Sequence, residues 1–335
     1  MQEPTYEMKN GLRLSTEEDK AMLRECNAAA LSLSTLWENR DDEIKILSWD
    51  QGWEDYLDRR AKLIDADGRV DYLPWNAYKK LNMDWLDGYA FIQNTGDCVS
   101  FGHRNALKAS NLSNGIRTGR KPREIAHSMT FAIARGSYNH PNFGSGANLT
   151  PMAKAAAQYG NYWTSDFGQY DTGRYCGKFR PGGVQDEHAK KTQSIICFLP
   201  ANTFDNCFRA CYAGFGIVIG TSIFPGGSSV NEDGLAVCDR WDSGAHCTSL
   251  VAGWIGESGK KYIYLENSHP TRYANDDLNS GHQWGCWLTE AEFRRMVRGG
   301  EDYGGWYVNI GELGQFFTEL FMICCFVGTF SLLGQ

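Results

Sequence analysis

Residues 93–107 read QNTGDCVSFGHRNAL, a short polar loop followed by a stretch that can form a helix. The loop places Cys98 at the first position of that helix. A thiol attacks carbonyl groups as the thiolate, and the positive end of a helix dipole stabilises a thiolate. Cys98 is therefore a candidate nucleophile, although a cysteine at a helix start is, on this feature alone, more often simply packed there.

Among the seven histidines, His246 is distinguished by its place in a predicted hairpin. Residues 244–268 read GAHCTSLVAGWIGESGKKYIYLENS, which is two apolar strands around a turn at 256–259. Paired residues of an antiparallel hairpin lie at equal distances from the turn, so His246 and Asn267 are predicted to be cross-strand neighbours. The Asn267 amide could then hold the imidazole in one tautomer, as the third member of a catalytic triad does. A structural histidine and a turn asparagine remain the alternative on this pattern alone.

Several stretches resemble the motifs of papain-like cysteine peptidases, in the same order along the chain. Residues 93–101 are similar to Q-G-x-C-G-S-C-W-A-F, the motif around that family's nucleophile, and residues 146–160 resemble its G-G-Y … A-x-x-Y helix. Residues 244–254 and 264–269 are similar to the D/N-H-A-V-x-x-V-G-Y and W-x-x-K-N-S-W segments. Leu73-Pro74 stands where the family's mature chain often begins, so the resemblance covers roughly residues 73–310.

The resemblance implies a papain-like α+β fold, with a helical left subdomain, an antiparallel β-barrel-like right subdomain and the active-site cleft between them. It also implies a cysteine-type peptidase that cleaves a polypeptide substrate through a thioester acyl-enzyme, without metal or cofactor. The catalytic residues that it implies are Cys98 as nucleophile, His246 as general base and acid, Asn267 as the orienter of the imidazole, and Gln93 in the oxyanion hole. Gly146 and Ala147 would lie along the substrate backbone.

The chain also departs from the family pattern. The interval from Gln93 to Cys98 is one residue shorter than in the family, which could reshape the oxyanion hole. Asp97 places a carboxylate beside the thiol and is expected to raise the pKa of that thiol. Val99 replaces a tryptophan, and His269 replaces the tryptophan that usually shields the His–Asn hydrogen bond. No catalytic atom is lost, so these changes indicate a divergent member with unusual substrate access, and they leave reduced or lost activity open.

Composition and charge exclude other classes of protein. Of the 335 residues, 42% are apolar and 22% charged, which indicates a globular chain. A net charge of −7 and the lack of a basic run with interleaved aromatic residues argue against nucleic-acid binding. The segment 1–7 lacks the features of a signal peptide, and 11 cysteines are a modest density for this length, so we expect an intracellular protein with reduced thiols. Paired Cys-x-x-Cys or His-x-x-x-His ligands are missing, so no structural metal is expected.

Helical patterns dominate the first half and strand patterns the second, which independently indicates an α+β class. Residues 1–72 hold 17 acidic and 10 basic side chains and are interpreted as an acidic helical N-terminal extension, with helices over about 15–34 and 48–64. Residues 73–312 would form the peptidase domain and residues 313–335 an apolar C-terminal tail. The extension could be a pair of helices packed on the body, or a detachable or inhibitory segment.

The tail contains 14 consecutive uncharged residues, 320–333, whereas a membrane-spanning helix needs about 20. We therefore expect the tail to be buried or to dock on a protein partner or a second copy of the chain, and not to anchor in a membrane. The acidic front and the apolar tail also motivate an alternative function. In it, the chain is a structural or binding component of a larger assembly, such as a virus particle, on a papain-like scaffold with weak or no activity. A related acyl-transfer enzyme, such as a transglutaminase or amidase, is a third candidate.

Overall fold

The computed structural model describes residues 12, 14–38, 45–83, 97–125, 147–164, 192–268, 273–278, 284–298, 303–312 and 316. Of the positions singled out from the sequence, Gln93, Gly146 and His269 lie outside this part of the chain, as does the uncharged stretch 320–333.

Most of the described helices precede most of the strands. The helices are α1 (Glu17–Ala28), α2 (Leu33–Glu38), α3 (Gln51–Asp67), α4 (Pro74–Lys80), α5 (Cys98–Thr118), α6 (Leu149–Gln158), α7 (Phe204–Tyr212) and α8 (Glu290–Arg298). The strands are β1 (Ile46–Leu47), β2 (Ser194–Phe198), β3 (Gly216–Val230), β4 (Ala236–Ile255), β5 (Lys261–Glu266), β6 (Gly285–Leu288) and β7 (Tyr307–Glu312). A 3-10 turn, Arg69–Tyr72, joins α3 to α4.

The first helix begins at a reciprocal cap. The Thr16 hydroxyl accepts a hydrogen bond from the backbone N–H of Asp19 at 3.1 Å, and the Asp19 carboxylate accepts one from the backbone N–H of Thr16 at 2.9 Å. This capping box satisfies two backbone donors that a helix start otherwise leaves unpaired. The helix predicted over 15–34 is divided in the structure, because α1 ends at Ala28 and the short helix α2 follows it.

Helix α3 is part of the central core, although its sequence belongs to the acidic front. Trp53, Tyr56 and Leu57 share one face of the helix and are each at most 2% exposed. They belong to the same apolar cluster as residues of α5 and of the sheet. Phe316, which follows the last strand, packs edge-on against the Tyr56 ring. The front and the end of the described chain therefore meet on the body of the molecule.

Helix α5 lies against the sheet and brings its first residue, Cys98, close to strand β4. A Cβ atom at Gly102 would lie 2.7 Å from the Sγ atom of Cys247 and 3.0 Å from the carbonyl oxygen of Thr248. Real Cβ atoms do not approach other atoms so closely, so glycine is required at this crossing. The helix and the strand consequently pack with their backbones almost in contact.

The strands form one mainly antiparallel sheet in the order β1-β2-β7-β3-β4-β5-β6. The parallel pairs are β1–β2 at one edge and a single contact between Val237 of β4 and Trp287 of β6. Because β6 pairs with both β4 and β5, the sheet curls at that end, but it does not close into a barrel. The α+β class expected from the sequence is confirmed, with a helical part and a largely antiparallel sheet.

Candidate active site

Cys98 is the first residue of α5, and its side chain is fully buried. The backbone N–H of Cys247, on strand β4, donates a hydrogen bond to the Cys98 Sγ atom over 3.2 Å. The backbone N–H groups of Cys98 and Val99, at the helix start, also lower the pKa of the thiol. The thiol therefore lies at the positive end of a helix and beside the residue that follows His246.

Burial is the largest of the effects on the pKa of the Cys98 thiol, and it raises that pKa far above the ordinary value because it disfavours the charged form. The hydrogen bond from Cys247 lowers the pKa, and the buried carboxylate of Asp97 raises it. The effect of Asp97 has the direction expected from the sequence. The thiol is thus neutral in this closed environment, and its ionisation requires a group that can take up the proton.

His246 and Asn267 are joined by a hydrogen bond of 2.8 Å between Nε2 of the ring and Oδ1 of the amide. The same Oδ1 atom accepts a hydrogen bond from the backbone N–H of Ser268 at 2.8 Å. A backbone N–H can only donate, so the atom facing it is the amide oxygen and not the amide nitrogen. The proton of the neutral imidazole therefore lies on Nε2, which makes Nδ1 the nitrogen that can act as a base.

His246 lies within strand β4 and not at its beginning, since β4 starts at Ala236. In the β4–β5 hairpin Ser249 pairs with Glu266, so His246 is two positions farther from the turn than the residue opposite Asn267. The difference from the predicted register arises because Ile255 pairs with Lys261, which centres the turn at residue 258, and the bulge between Leu250 and Ala252 reduces the offset by one residue. Residues two apart on a strand point to the same face, and diagonal side chains across an antiparallel pair can touch. The two side chains are therefore neighbours across a diagonal.

Two aromatic side chains that we did not identify from the sequence enclose the His–Asn pair. The Phe224 ring lies 4.5 Å from the His246 ring, between centroids. The hydroxyl of Tyr273 accepts a hydrogen bond from Nδ2 of Asn267 at 3.2 Å. Both aromatic side chains are buried. Phe224 lies in the long strand β3 and Tyr273 in an irregular segment, and neither belongs to a motif that we recognised in the sequence.

Ala147 forms an isolated parallel β-bridge with Leu12, which comes from the acidic front of the chain. Both residues are 1% exposed. A Cβ atom at Gly220 would lie 3.0 Å from the Leu12 Cδ2 atom and 3.0 Å from the Tyr303 Cβ atom. The Leu12 side chain thus fills the space beside Gly220 and Tyr303, and its backbone occupies the strand position next to Ala147.

His103, on α5, is buried, and each nitrogen of its ring lies within hydrogen-bond distance of a polar side chain. Its Nδ1 atom is 2.9 Å from the Tyr307 hydroxyl, and its Nε2 atom is 3.0 Å from the Asn161 side-chain oxygen. Burial lowers the pKa of His103 to about 4, so the ring is neutral at physiological pH. Its two hydrogen bonds tie helix α5 to strand β7 and to the loop after α6.

Within the described residues, no group of three or more histidine, cysteine, aspartate or glutamate side chains could hold a metal ion. Across those same ranges, none of the helices combines the length and the apolar character needed to cross a bilayer.

Comparison with known proteins finds no matching family model and no matching curated sequence. Among solved structures, the chain is similar to xylellain, a cysteine protease from Xylella fastidiosa, at 14% identity and a TM-score of 0.46 over 66% of this chain and 82% of that one. It is also similar to the Amb a 11 cysteine protease, a ragweed pollen allergen, in its proform, at 18% identity and a TM-score of 0.40 over 66% and 61% of the two chains. A third is the bromelain protease from Ananas comosus, at 13% identity and a TM-score of 0.39 over 66% and 91%.

The resemblance to papain-like cysteine proteases expected from the sequence motifs is thus met again among solved structures. Since every one of these TM-scores is below 0.5, the function proposed below rests on the geometry of this chain's own side chains.

Proposed function

We propose that the chain is a thiol peptidase, with Cys98 as nucleophile and His246 as general base and acid. The observation that carries this proposal is a pair of hydrogen bonds made by two neighbouring residues of β4. Asn267 holds the Nε2 proton of His246, and the next residue along β4, Cys247, donates its N–H to the Cys98 sulfur. The Cys98 sulfur and the oriented imidazole are thereby connected through adjacent residues of β4, which supports a thiol and a base of the kind that nucleophilic catalysis uses.

The chemistry begins with transfer of the Cys98 proton from Sγ to Nδ1 of His246. The thiolate then attacks the carbonyl carbon of the scissile peptide bond, and the carbonyl electrons move to the oxygen. When the tetrahedral intermediate collapses, the C–N bond breaks and the amine leaves with the proton from Nδ1, so that a thioester remains. A water molecule gives a proton to Nδ1 and attacks the thioester, which releases the acid and restores the Cys98 thiol.

The electrostatics of the site define what each group contributes to this cycle. Burial opposes an isolated thiolate at Cys98, so formation of the thiolate is coupled to protonation of His246. The backbone N–H groups at the start of α5 and at Cys247 stabilise the negative sulfur. By the family resemblance, Gln93 supplies a side-chain N–H to the developing oxyanion, where one such donor is worth about 3 kcal/mol of transition-state stabilisation.

Access to the site is controlled by the front of the chain. By the resemblance, Ala147 lies along the substrate backbone, and Leu12 is bridged to Ala147 in this structure. A substrate strand and Leu12 cannot occupy the same edge of Ala147 at once. The buried Leu12 side chain also needs to leave the space beside Gly220 before another side chain can enter it. The front segment therefore slows the reaction of its own chain, and its displacement increases activity.

The test is covalent trapping of the full chain with a peptide aldehyde, read by intact mass, together with peptide cleavage. We expect one adduct per chain, which Cys98→Ala abolishes and Cys207→Ala, at another buried cysteine, retains. His246→Ala should lower peptide cleavage by about 100-fold or more, since it removes the general base.

The same assay tests the inhibitory role of the front segment. Leu12→Asp should speed adduct formation about threefold or more, because a buried unpaired carboxylate is unfavourable and residue 12 then leaves its place beside Ala147. Leu14→Asp, at a residue that is 50% exposed, is the matched control and should leave the rate unchanged. Labelling that persists in Cys98→Ala would contradict the proposed nucleophile. Equal rates for both leucine variants would contradict the inhibitory contact alone.

A further inference from the structure

The hydroxyl of Tyr273 connects the side chain of Asn267 to the backbone of strand β3. It accepts a hydrogen bond from Asn267 Nδ2 at 3.2 Å and donates one to the carbonyl oxygen of Pro225 at 2.8 Å. Tyr273 is buried at 5% exposure, so solvent competes little for these bonds. The result is a continuous chain of hydrogen bonds from the Pro225 carbonyl through Tyr273 and Asn267 to the ring of His246.

Each hydrogen bond in this chain has one possible direction. A carbonyl oxygen can only accept, so the single hydroxyl hydrogen of Tyr273 is used in the bond to Pro225. The hydroxyl oxygen can then only accept from Asn267, which places the NH₂ group of the amide toward Tyr273. The opposite end of the amide, Oδ1, faces both Ser268 N–H and His246 Nε2. Tyr273 and Ser268 thus hold the amide at both ends.

The orientation of the amide determines the tautomer of the imidazole. With Oδ1 toward the ring, Nε2 carries the proton and Nδ1 has the free lone pair. With the amide reversed, its NH₂ group would face Nε2 and favour the tautomer in which Nδ1 carries the proton, and that nitrogen could then no longer accept the proton of Cys98. Asparagine presents an oxygen and a nitrogen of nearly equal size, so neighbouring groups have to select between the two orientations.

The same stretch of β3 also restrains the ring of His246 by packing. Phe224 precedes Pro225, and its ring lies 4.5 Å from the His246 ring. One dipeptide of β3 therefore supplies both the acceptor that orients Tyr273 and the aromatic surface that limits rotation of the imidazole. One contact acts on Asn267 through Tyr273, and the other acts directly on the ring of His246.

We propose that Tyr273 is a positioning residue that sets the His246 tautomer by orienting the Asn267 amide. This inference rests on the proposed function for its effect on catalysis, whereas the tautomer itself can be observed without turnover. A purely structural tyrosine would contribute to folding stability and would leave both the tautomer and the pH–rate profile unchanged.

The chain contains a matched control in Tyr262. Its hydroxyl is also placed between an asparagine amide and an acceptor oxygen, since it accepts from Asn231 Nδ2 at 3.0 Å and donates to Asp233 Oδ2 at 2.6 Å. Tyr262 is fully buried in strand β5, and both of its hydrogen-bond partners lie in the turn between β3 and β4, away from His246. Tyr262→Phe and Tyr273→Phe therefore delete the same kind of hydroxyl at two places.

The experiment compares full-length wild type, Tyr273→Phe, Tyr262→Phe, Asn267→Ala and the double variant Tyr273→Phe/Asn267→Ala. Kinetics give kcat, KM and the pH profile, and ¹⁵N NMR of labelled histidine gives the His246 tautomer. We expect Tyr273→Phe to lower kcat about three- to tenfold with KM unchanged, which is the effect of one hydrogen bond. Its NMR spectrum should show a population protonated on Nδ1. In the Asn267→Ala background the same change should cost nothing further, because Tyr273 acts through Asn267.

The inference is overturned if Tyr273→Phe keeps the wild-type tautomer, if its effect on kcat persists in the Asn267→Ala background, or if Tyr262→Phe lowers kcat equally. Failure of the proposed function looks different. In that case wild type cleaves no peptide and Cys98 forms no adduct, even with Leu12→Asp. The NMR comparison of Tyr273→Phe with wild type then still decides whether the hydroxyl sets the tautomer.

Discussion

Cys98 and Asp97 are adjacent buried residues at the start of one helix, and a thiolate at Cys98 would face the carboxylate of Asp97. Most of the rise in the thiol's pKa comes from burial, with a smaller contribution from Asp97. Both contributions disfavour the thiolate. In the proposed mechanism, the N–H groups at the helix start and the imidazole of His246 offset them.

At this scale we expect Asp97→Asn to lower the pKa of Cys98, because it removes a negative charge that raises that pKa. Alkylation of Cys98 by iodoacetamide at neutral pH should become about threefold faster, and the midpoint of its pH dependence should move to lower pH. Asparagine has nearly the same size and shape as aspartate, and the Asp97 side chain makes no capping hydrogen bond to α5, so unfolding should change little.

Asp205→Asn, at an exposed residue in the first turn of α7, controls for the loss of one negative charge elsewhere. It should leave the Cys98 midpoint unchanged. A midpoint that stays constant or rises in Asp97→Asn would show that this carboxylate does not disfavour the thiolate.

At the scale of elements, the site depends on how closely α5 approaches β4. Only a hydrogen atom fits at Gly102, where a Cβ would meet the Cys247 sulfur and the Thr248 backbone. The Cys247 N–H that bonds the Cys98 sulfur belongs to the same strand segment. Widening the helix–strand contact would therefore move the donor away from the Cys98 sulfur as well as weaken the packing.

We expect Gly102→Ala to lower the free energy of unfolding by about 1 to 3 kcal/mol, which is typical of an overpacked core site, and to slow adduct formation at Cys98. Urea denaturation and intact mass measure the two effects. Gly52→Ala, in helix α3, is the matched control, because its Cβ would meet only the Asp50 side chain at 3.3 Å.

Alanine favours a helix over glycine by about 1 kcal/mol, so Gly52→Ala should be neutral or stabilising. If the two alanine variants prove equally stable, the close approach at Gly102 is not a constraint on the fold.

At the scale of the whole molecule, part of the acidic front is built into the body. Arg60 is fully buried and donates hydrogen bonds to Ser113 Oγ at 2.8 Å and to Asn114 Oδ1 at 3.0 Å on helix α5. Its guanidinium lies 4.4 Å from the centre of the Phe215 ring. Burial lowers the pKa of Arg60 to about 10, so the side chain is charged at physiological pH. The buried cation of Arg60 therefore links α3 to α5 through hydrogen bonds.

We expect Arg60→Ala to lower the free energy of unfolding by about 3 to 5 kcal/mol, because it leaves buried polar partners unsatisfied. Arg59→Ala, at the neighbouring and partly exposed position, should change it by about 0.5 kcal/mol or less. Chemical denaturation followed by fluorescence measures both. A loss of similar size in both variants would mean that Arg60 does not fasten α3 to the body. A large loss in Arg60→Ala alone, together with the expected effect of Leu12→Asp, would distinguish a displaceable part of the acidic front from a part that is fixed to the body.

The main elements of this fold were predictable because their signals are local. Helix α3, Gln51–Asp67, lies near the stretch 48–64 that is predicted to be helical, and the turn between β4 and β5 lies at Gly256–Gly259, as its residue types indicate. Predictions failed where a tertiary partner changed the outcome. Strand β4 begins at Ala236, well before His246, because β3 extends alongside it and pairs with it from Ala236 to Leu250.

The amino-acid sequence by itself determined that Cys98 stands at a helix start and that His246 and Asn267 lie across one hairpin, because capping and hairpin pairing act over short distances along the chain. Only the tertiary structure decided that Cys247, 149 residues from Cys98, donates to its sulfur, that Tyr273 and Phe224 enclose the His–Asn pair, and that Leu12 covers Ala147. Apart from the bond between Tyr273 and Asn267, these contacts join segments that are distant in sequence, and short-range patterns such as caps and hairpins do not encode them.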